Sequence, residues 1–138
     1  MKKAILIILI LLMIPIYINN VTPNLGIDEG QLKPLKASPN GVSSYSEDKY
    51  VEAFLYSEDT MSDLKSVALS LGGDLITEDN NYMHFVFSTR LGFKDDVEFY
   101  YDGQLIQFRS QSRLGYSDMG LNLSRYNMIR EKIESLLD

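Results

Sequence analysis

Asp96-Val97-Glu98-Phe99-Tyr100-Tyr101-Asp102-Gly103-Gln104-Leu105-Ile106-Gln107-Phe108-Arg109-Ser110-Gln111-Ser112-Arg113 reads as two alternating strands joined at Asp102-Gly103. Asp-Gly is the dipeptide that tight hairpin turns favour, because it tolerates positive φ where the chain reverses. Successive strand side chains point to opposite sides of a sheet. Val97, Phe99, Tyr101, Ile106 and Phe108 therefore share one apolar face, and Asp96, Glu98, Gln107, Arg109, Gln111 and Arg113 share the other. A third strand, Tyr82 to Arg90, continues both patterns, with Met83, Phe85 and Phe87 on the apolar side and His84, Ser88 and Arg90 on the polar side.

Working outward, Lys49 to Tyr56 reads as a short first strand, and Gly73 to Glu78 as another before the Asp79-Asn80-Asn81 turn. Thr60 is placed to N-cap a helix with Asp63 in its first turn, since Leu64, Val67, Ala68 and Leu71 recur at helical spacing up to Gly72-Gly73. A last helix spans about Asn122 to Leu137, with Tyr126, Ile129, Ile133, Leu136 and Leu137 on one stripe. These elements predict an α+β, two-layer domain: a mostly antiparallel sheet of four to five strands, two helices on one face, the polar face left open, and an apolar helix ahead of it all.

That apolar helix is the run Ala4 to Ile18 behind Lys2 and Lys3. Fifteen residues reach about 22 Å against a hydrocarbon core of roughly 30 Å, and Pro15 interrupts them, which suits a signal peptide. Yet Ile16 to Pro23 holds no pair of small residues spaced for signal peptidase, and the chain has no cysteine for a lipid. The reading is residues 1–20 as an uncleaved single-pass anchor with the lysines cytoplasmic and the domain on the extracytoplasmic side of the cell membrane; the alternative is a secreted or periplasmic protein after cleavage. From Asn19 to about Ser46 the chain is rich in Asn, Pro, Gly and Ser with little periodicity, so residues 21–38 read as a flexible linker, and residues 39–138 as one globular domain. Beyond Asn20 the chain carries 11 basic and 19 acidic residues, a net charge of −8, which disfavours nucleic acid and confines membrane contact to the N-terminal segment.

Arg90-Leu91-Gly92-Phe93-Lys94-Asp95 recurs as Arg113-Leu114-Gly115-Tyr116-Ser117-Asp118. In an up-down-up meander both copies finish at the same end of the sheet, flanking the strand that opens with Asp95 and Asp96. Three readings of this edge stand side by side. Asp96 and Glu98 lie between arginine-bearing strands and make ordinary cross-strand ion pairs; or the forks of Arg90, Arg109 and Arg113 exceed what the carboxylates neutralise and take a small polar or anionic ligand or an envelope protein; or a carboxylate among Asp95, Asp96, Glu98 and Asp118, an aspartate first, serves a hydrolase-like reaction. Asp95 and Asp96 point opposite ways, so they do not share one site. One histidine without cysteine makes no metal pattern, and no cofactor is expected.

Pro39-Asn40-Gly41-Val42-Ser43-Ser44, Phe93-Lys94-Asp95-Asp96-Val97-Glu98-Phe99 and Arg109-Ser110-Gln111-Ser112-Arg113-Leu114-Gly115-Tyr116-Ser117-Asp118-Met119-Gly120 with Asn122 together resemble the domain-of-unknown-function family numbered 1499 of bacteria and plastid-bearing organisms. That family's first motif has a cysteine where this chain has Gly41. The resemblance implies that Asn40 to Ser44 belongs with the domain, and it adds Asn40, Ser43 and Ser44 to the candidate ligand-binding residues Arg90, Asp95, Asp96, Glu98, Arg109, Arg113 and Asp118. It implies no activity.

Overall fold

The computed structural model describes residues 1–137. It opens on a helix, α1 (Lys2–Asn20), followed by a two-residue hairpin of β1 (Ile27–Asp28) and β2 (Gln31–Leu32) and two short strands, β3 (Gly41–Ser43) and β4 (Phe54–Leu55). Then come α2 (Thr60–Ser70), β5 (Gly73–Asp79), β6 (Tyr82–Ser88), β7 (Lys94–Tyr101), β8 (Leu105–Ser112) and α3 (Leu121–Leu137). The main sheet runs β3-β8-β7-β6-β5, antiparallel throughout, with β4 sharing the outer edge of β8 with β3. Six strands thus make a sheet five positions wide.

Alternation places the core where the pattern predicts it. Met83, Phe85, Phe87, Val97, Phe99, Ile106 and Phe108 are buried against Leu64, Val67 and Ala68 of α2 and Tyr126, Ile129 and Ile133 of α3. Both helices therefore cover one face. Phe54, Phe99, Phe108 and Tyr126 form a chain of tilted ring contacts at 5.3 to 6.2 Å, the spacing at which aromatic edges meet faces. Leu136, expected on the stripe, is exposed in the last turn of α3, and the Leu137 side chain and Asp138 lie outside the described residues.

Several local expectations shift. Thr60 is the first helical residue rather than the cap; its hydroxyl turns back to the Ser57 amide at 2.9 Å, a local bond that competes with capping. The expected strand at Lys49–Tyr56 shrinks to Phe54–Leu55, because the β8 edge accommodates only that stretch below β3. Pro15 does not interrupt α1, whose 19 residues span about 28 Å and give one helix long and apolar enough to cross a membrane.

The larger correction concerns the polar face, which is not open. Residues 23–36 lie across it as a strap, and Asp96, Glu98, Arg109 and Arg113 are each 6 % exposed or less. Backbone amides do much of the docking: Gly26 donates to Glu98 Oε1 at 2.8 Å and Lys36 to Gln111 Oε1 at 2.9 Å. A charged face can be covered when its charges pair with one another and the remaining lone pairs find donors.

Candidate functional site

The candidate residues divide between two buried networks on opposite faces of the sheet. Under the strap, Arg113 grips Asp96 in a bidentate fork, Nε and Nη2 each at 2.8 Å, and His84 Nε2 lies 2.8 Å from the same carboxylate. Beside it, Glu98 accepts from Arg109 Nη1 at 3.0 Å and from the Tyr82 hydroxyl at 2.8 Å. Arg109 Nη2 reaches Gln111 Oε1 at 3.0 Å. Burial alone would push the Asp96 carboxyl up, but the hydrogen bonds from Arg113 and His84 outweigh it and hold the group below the ordinary carboxylate range. Tyr82 moves the other way, raised by burial and then by Glu98.

On the helix side, Asp95 Oδ2 receives Arg125 Nη2 at 2.6 Å. Arg125 also donates to Asn122 Oδ1, which in turn bonds the Ser110 hydroxyl, while Asn122 Nδ2 reaches Ser112 Oγ at 3.0 Å, the Asn40 carbonyl at 3.0 Å and Asp118 Oδ2 at 2.7 Å. Asp118 caps the start of α3 by accepting from the amides of Gly120 and Asn122. Burial raises its pKa, and these donors together lower it further than burial lifts it. Asn40 ties the motif across the sheet edge, donating to Gly115 O at 2.7 Å and accepting from Gln111 Nε2 at 3.0 Å.

Arg90 stands apart from both networks: it is exposed and has no hydrogen bond or ion pair among the described residues. Ser43 and Ser44 spend their hydroxyls on backbone, Ser43 on the Tyr45 amide and Ser44 on the Phe108 amide. Ser43 also lines a separate 520 Å³ cleft between residues 31–39 and 43–49. The edge therefore brings together Asp96, Glu98, Arg109 and Arg113 on one face and Asn40, Asp95 and Asp118 on the other, and leaves Arg90 and Ser44 outside both.

Pattern reading missed Arg125 and Lys36. A signal for Arg125 was present, because it falls four residues before Ile129 on the buried stripe of α3, a position where a charge calls for a partner. Lys36 carried none: it sits in aperiodic sequence, and its ammonium reaches the carbonyls of Ser112 at 2.8 Å and Arg113 at 3.0 Å across the fold.

Under the strap, Pro23, Asn24, Leu25, Pro34, Lys36, Asp96, Arg109, Gln111 and Ser112 enclose a recess of 240 Å³. Around it Lys36, Arg109 and Arg113 outnumber Asp96 and Glu98 by one positive charge. Arg109 Nε is buried and has no hydrogen-bond partner among the described residues. Lys36 is exposed overall, but partial desolvation of its ammonium and then the neighbouring Arg109 charge lower its pKa, with Asp96 opposing. That arrangement favours an anion.

Gly41 explains how closely β3 approaches β8. A Cβ there would lie 2.8 Å from the Ser110 carbonyl and 2.9 Å from Gln111 Cβ, so any side chain at this position forces the strands apart or displaces Gln111.

A family model described as "Protein of unknown function (DUF1499)" matches residues 31–133. No curated protein and no solved structure matches the chain.

Proposed function

Since the chain belongs to the DUF1499 family, whose description assigns no activity, we propose from the geometry alone that this is a membrane-tethered, extracytoplasmic binding domain that takes a small oxyanion-bearing ligand in the recess under the strap. The observation that carries the reading is the recess itself, lined by Lys36 and Arg109 and ringed by one more cation than carboxylate. Asp96 and Arg109 line the recess, Glu98 and Arg113 hold those two in place, and Lys36 supplies the surplus cation. Its volume suits a small molecule and excludes a folded partner. Asp96 already accepts from three donors and Asp118 from three, and Ser112, the hydroxyl among the residues lining the recess, bonds Asn122 rather than a base, which favours binding over hydrolysis there.

Thermal unfolding of the full chain in detergent, with inorganic phosphate or acetate against chloride at equal ionic strength, tests the reading. An oxyanion at ten times its Kd should add about 1.4 kcal/mol of stability. Lys36→Met should abolish that gain. A gain that survives Lys36→Met, or none beyond chloride, sinks the proposal, and turnover of a phosphate or carboxylate ester lost in Asp96→Asn would replace it with hydrolysis.

A further inference from the structure

At the end of the sheet where α1 arrives, the two repeated loops project an apolar rim. Leu91 is 82 % exposed, Phe93 44 %, Met119 96 % and Leu121 37 %, and these four, with Leu114, line a single 560 Å³ cleft between the loops. Tyr116, 77 % exposed, lies between them in the second loop. Isolated exposed apolar residues are ordinary, but a contiguous group at loop tips marks a surface that meets something. Met119 sharpens the point, because its φ of 54° is a left-handed conformation that methionine rarely adopts, and the strained backbone holds a side chain almost wholly outside the fold.

The position of α1 identifies what the rim meets. Asn19 Nδ2 donates to the Gly92 carbonyl at 2.8 Å, Asn19 Oδ1 accepts from the Lys94 amide at 2.9 Å, and Asn20 Oδ1 accepts from Lys94 Nζ at 3.0 Å. The last turn of the apolar helix is thus bonded to the very loop that carries Leu91 and Phe93. When α1 spans a bilayer, that turn sits at the water interface and the rim sits with it. The charges of residues 90–94 are Arg90 and Lys94, both positive, in a domain that is otherwise strongly acidic. Apolar tips flanked by Arg or Lys are the composition of an interfacial contact, with the side chains in the acyl boundary and the cations among headgroup phosphates.

We infer that the loops Arg90–Phe93 and Leu114–Leu121 form a second membrane contact, seating the domain on the lipid surface beside its own anchor. This rests on α1 being a membrane span. The occupant is lipid, and the cleft opens toward it.

The absence of cysteine allows single-cysteine probes in the full chain. Leu91→Cys, Met119→Cys, Gln104→Cys and Ile10→Cys, each carrying an environment-sensitive fluorophore, are reconstituted into phosphatidylcholine–phosphatidylglycerol vesicles. Gln104 lies at the opposite end of β7 and β8, roughly 25 Å away at about 3.4 Å per strand residue. Probes at 91 and 119 should be quenched by spin-labelled acyl chains and be several-fold less accessible to aqueous iodide than the probe at 104. If the probe at 10 reports hydrocarbon while those at 91 and 119 match 104, the seating falls and the anchor stands. If the probe at 10 reports water, both fall. Protection from iodide at 91 and 119 without lipid quenching would assign the rim to protein and overturn the inference.

Discussion

The two copies of the repeat, residues 90–95 and 113–118, share four of six residues and have opposite fates. Arg113 is buried, paired with Asp96 and bonded through its own amide to the Lys94 carbonyl at 2.9 Å. Arg90 is exposed and unpaired among the described residues. Register makes the difference. Ser88 is the residue of β6 opposite Lys94, so Arg90 lies two positions beyond the sheet, whereas Arg113 itself stands opposite Lys94 and shares a face with Asp96. The aspartates diverge likewise, Asp95 within β7 against Arg125 and Asp118 past the sheet at the start of α3. Identical side chains acquire their roles from where pairing stops.

The largest expected effect separates the arginines. Arg113→Met leaves the Asp96 carboxylate buried without its fork and should cost about 3–5 kcal/mol in denaturant unfolding, while Arg90→Met should stay within about 0.5 kcal/mol. The same pair sets an acid response. The folded pKa of Asp96 is below its ordinary 3.8, so its stabilisation is complete above that value and is lost as pH falls through the lowered one. In Arg113→Met the strongest cause of the lowering is gone, and stability should fall less steeply with acid. Equal slopes in both proteins would mean that Asp96 is not the group responsible.

A smaller effect belongs to the aspartate outside the sheet. Asp118→Ala removes an α3 cap and its bond to Asn122, and should cost about 1–2 kcal/mol with the helical signal near 222 nm melting earlier. The smallest contrast is expected at the glycines, where the copies agree: Gly92 has φ 83° and Gly115 has φ 91°, and neither meets a close neighbour at the Cβ position. Gly92→Ala and Gly115→Ala should each cost about 1 kcal/mol. A large difference between them would show that the two turns are not equivalent in backbone after all.

What could be read from the chain followed from local period. Alternation over 82–88, 94–101 and 105–112 assigns each side chain to a face, Asp102-Gly103 reverses the chain, and the stripes of α2 and α3 mark the cover. Because one turn geometry and one alternation govern the meander, the meeting of the two repeated loops at one end was legible too, as was the presence of an apolar N-terminal helix. Alternation also separated Asp95 from Asp96, and the structure finds them in different networks.

Period says which way a residue points, not what comes to meet it. The strap has no pattern because it docks largely through backbone amides and carbonyls, groups that no sequence motif marks, and its partners lie more than seventy positions away. Composition shows such a segment as a tether, and only the fold shows that it seals the charged face and shapes the recess beside Arg109. The sequence by itself determined the strands, the helices and the side of the sheet on which each charge stands, since those depend on neighbours in the chain. Tertiary structure decided which charges are buried, that Arg125 joins them, that the exposed Lys36 reaches carbonyls across the fold, and that Arg90 stays outside, since those depend on contacts between residues that no local repeat relates.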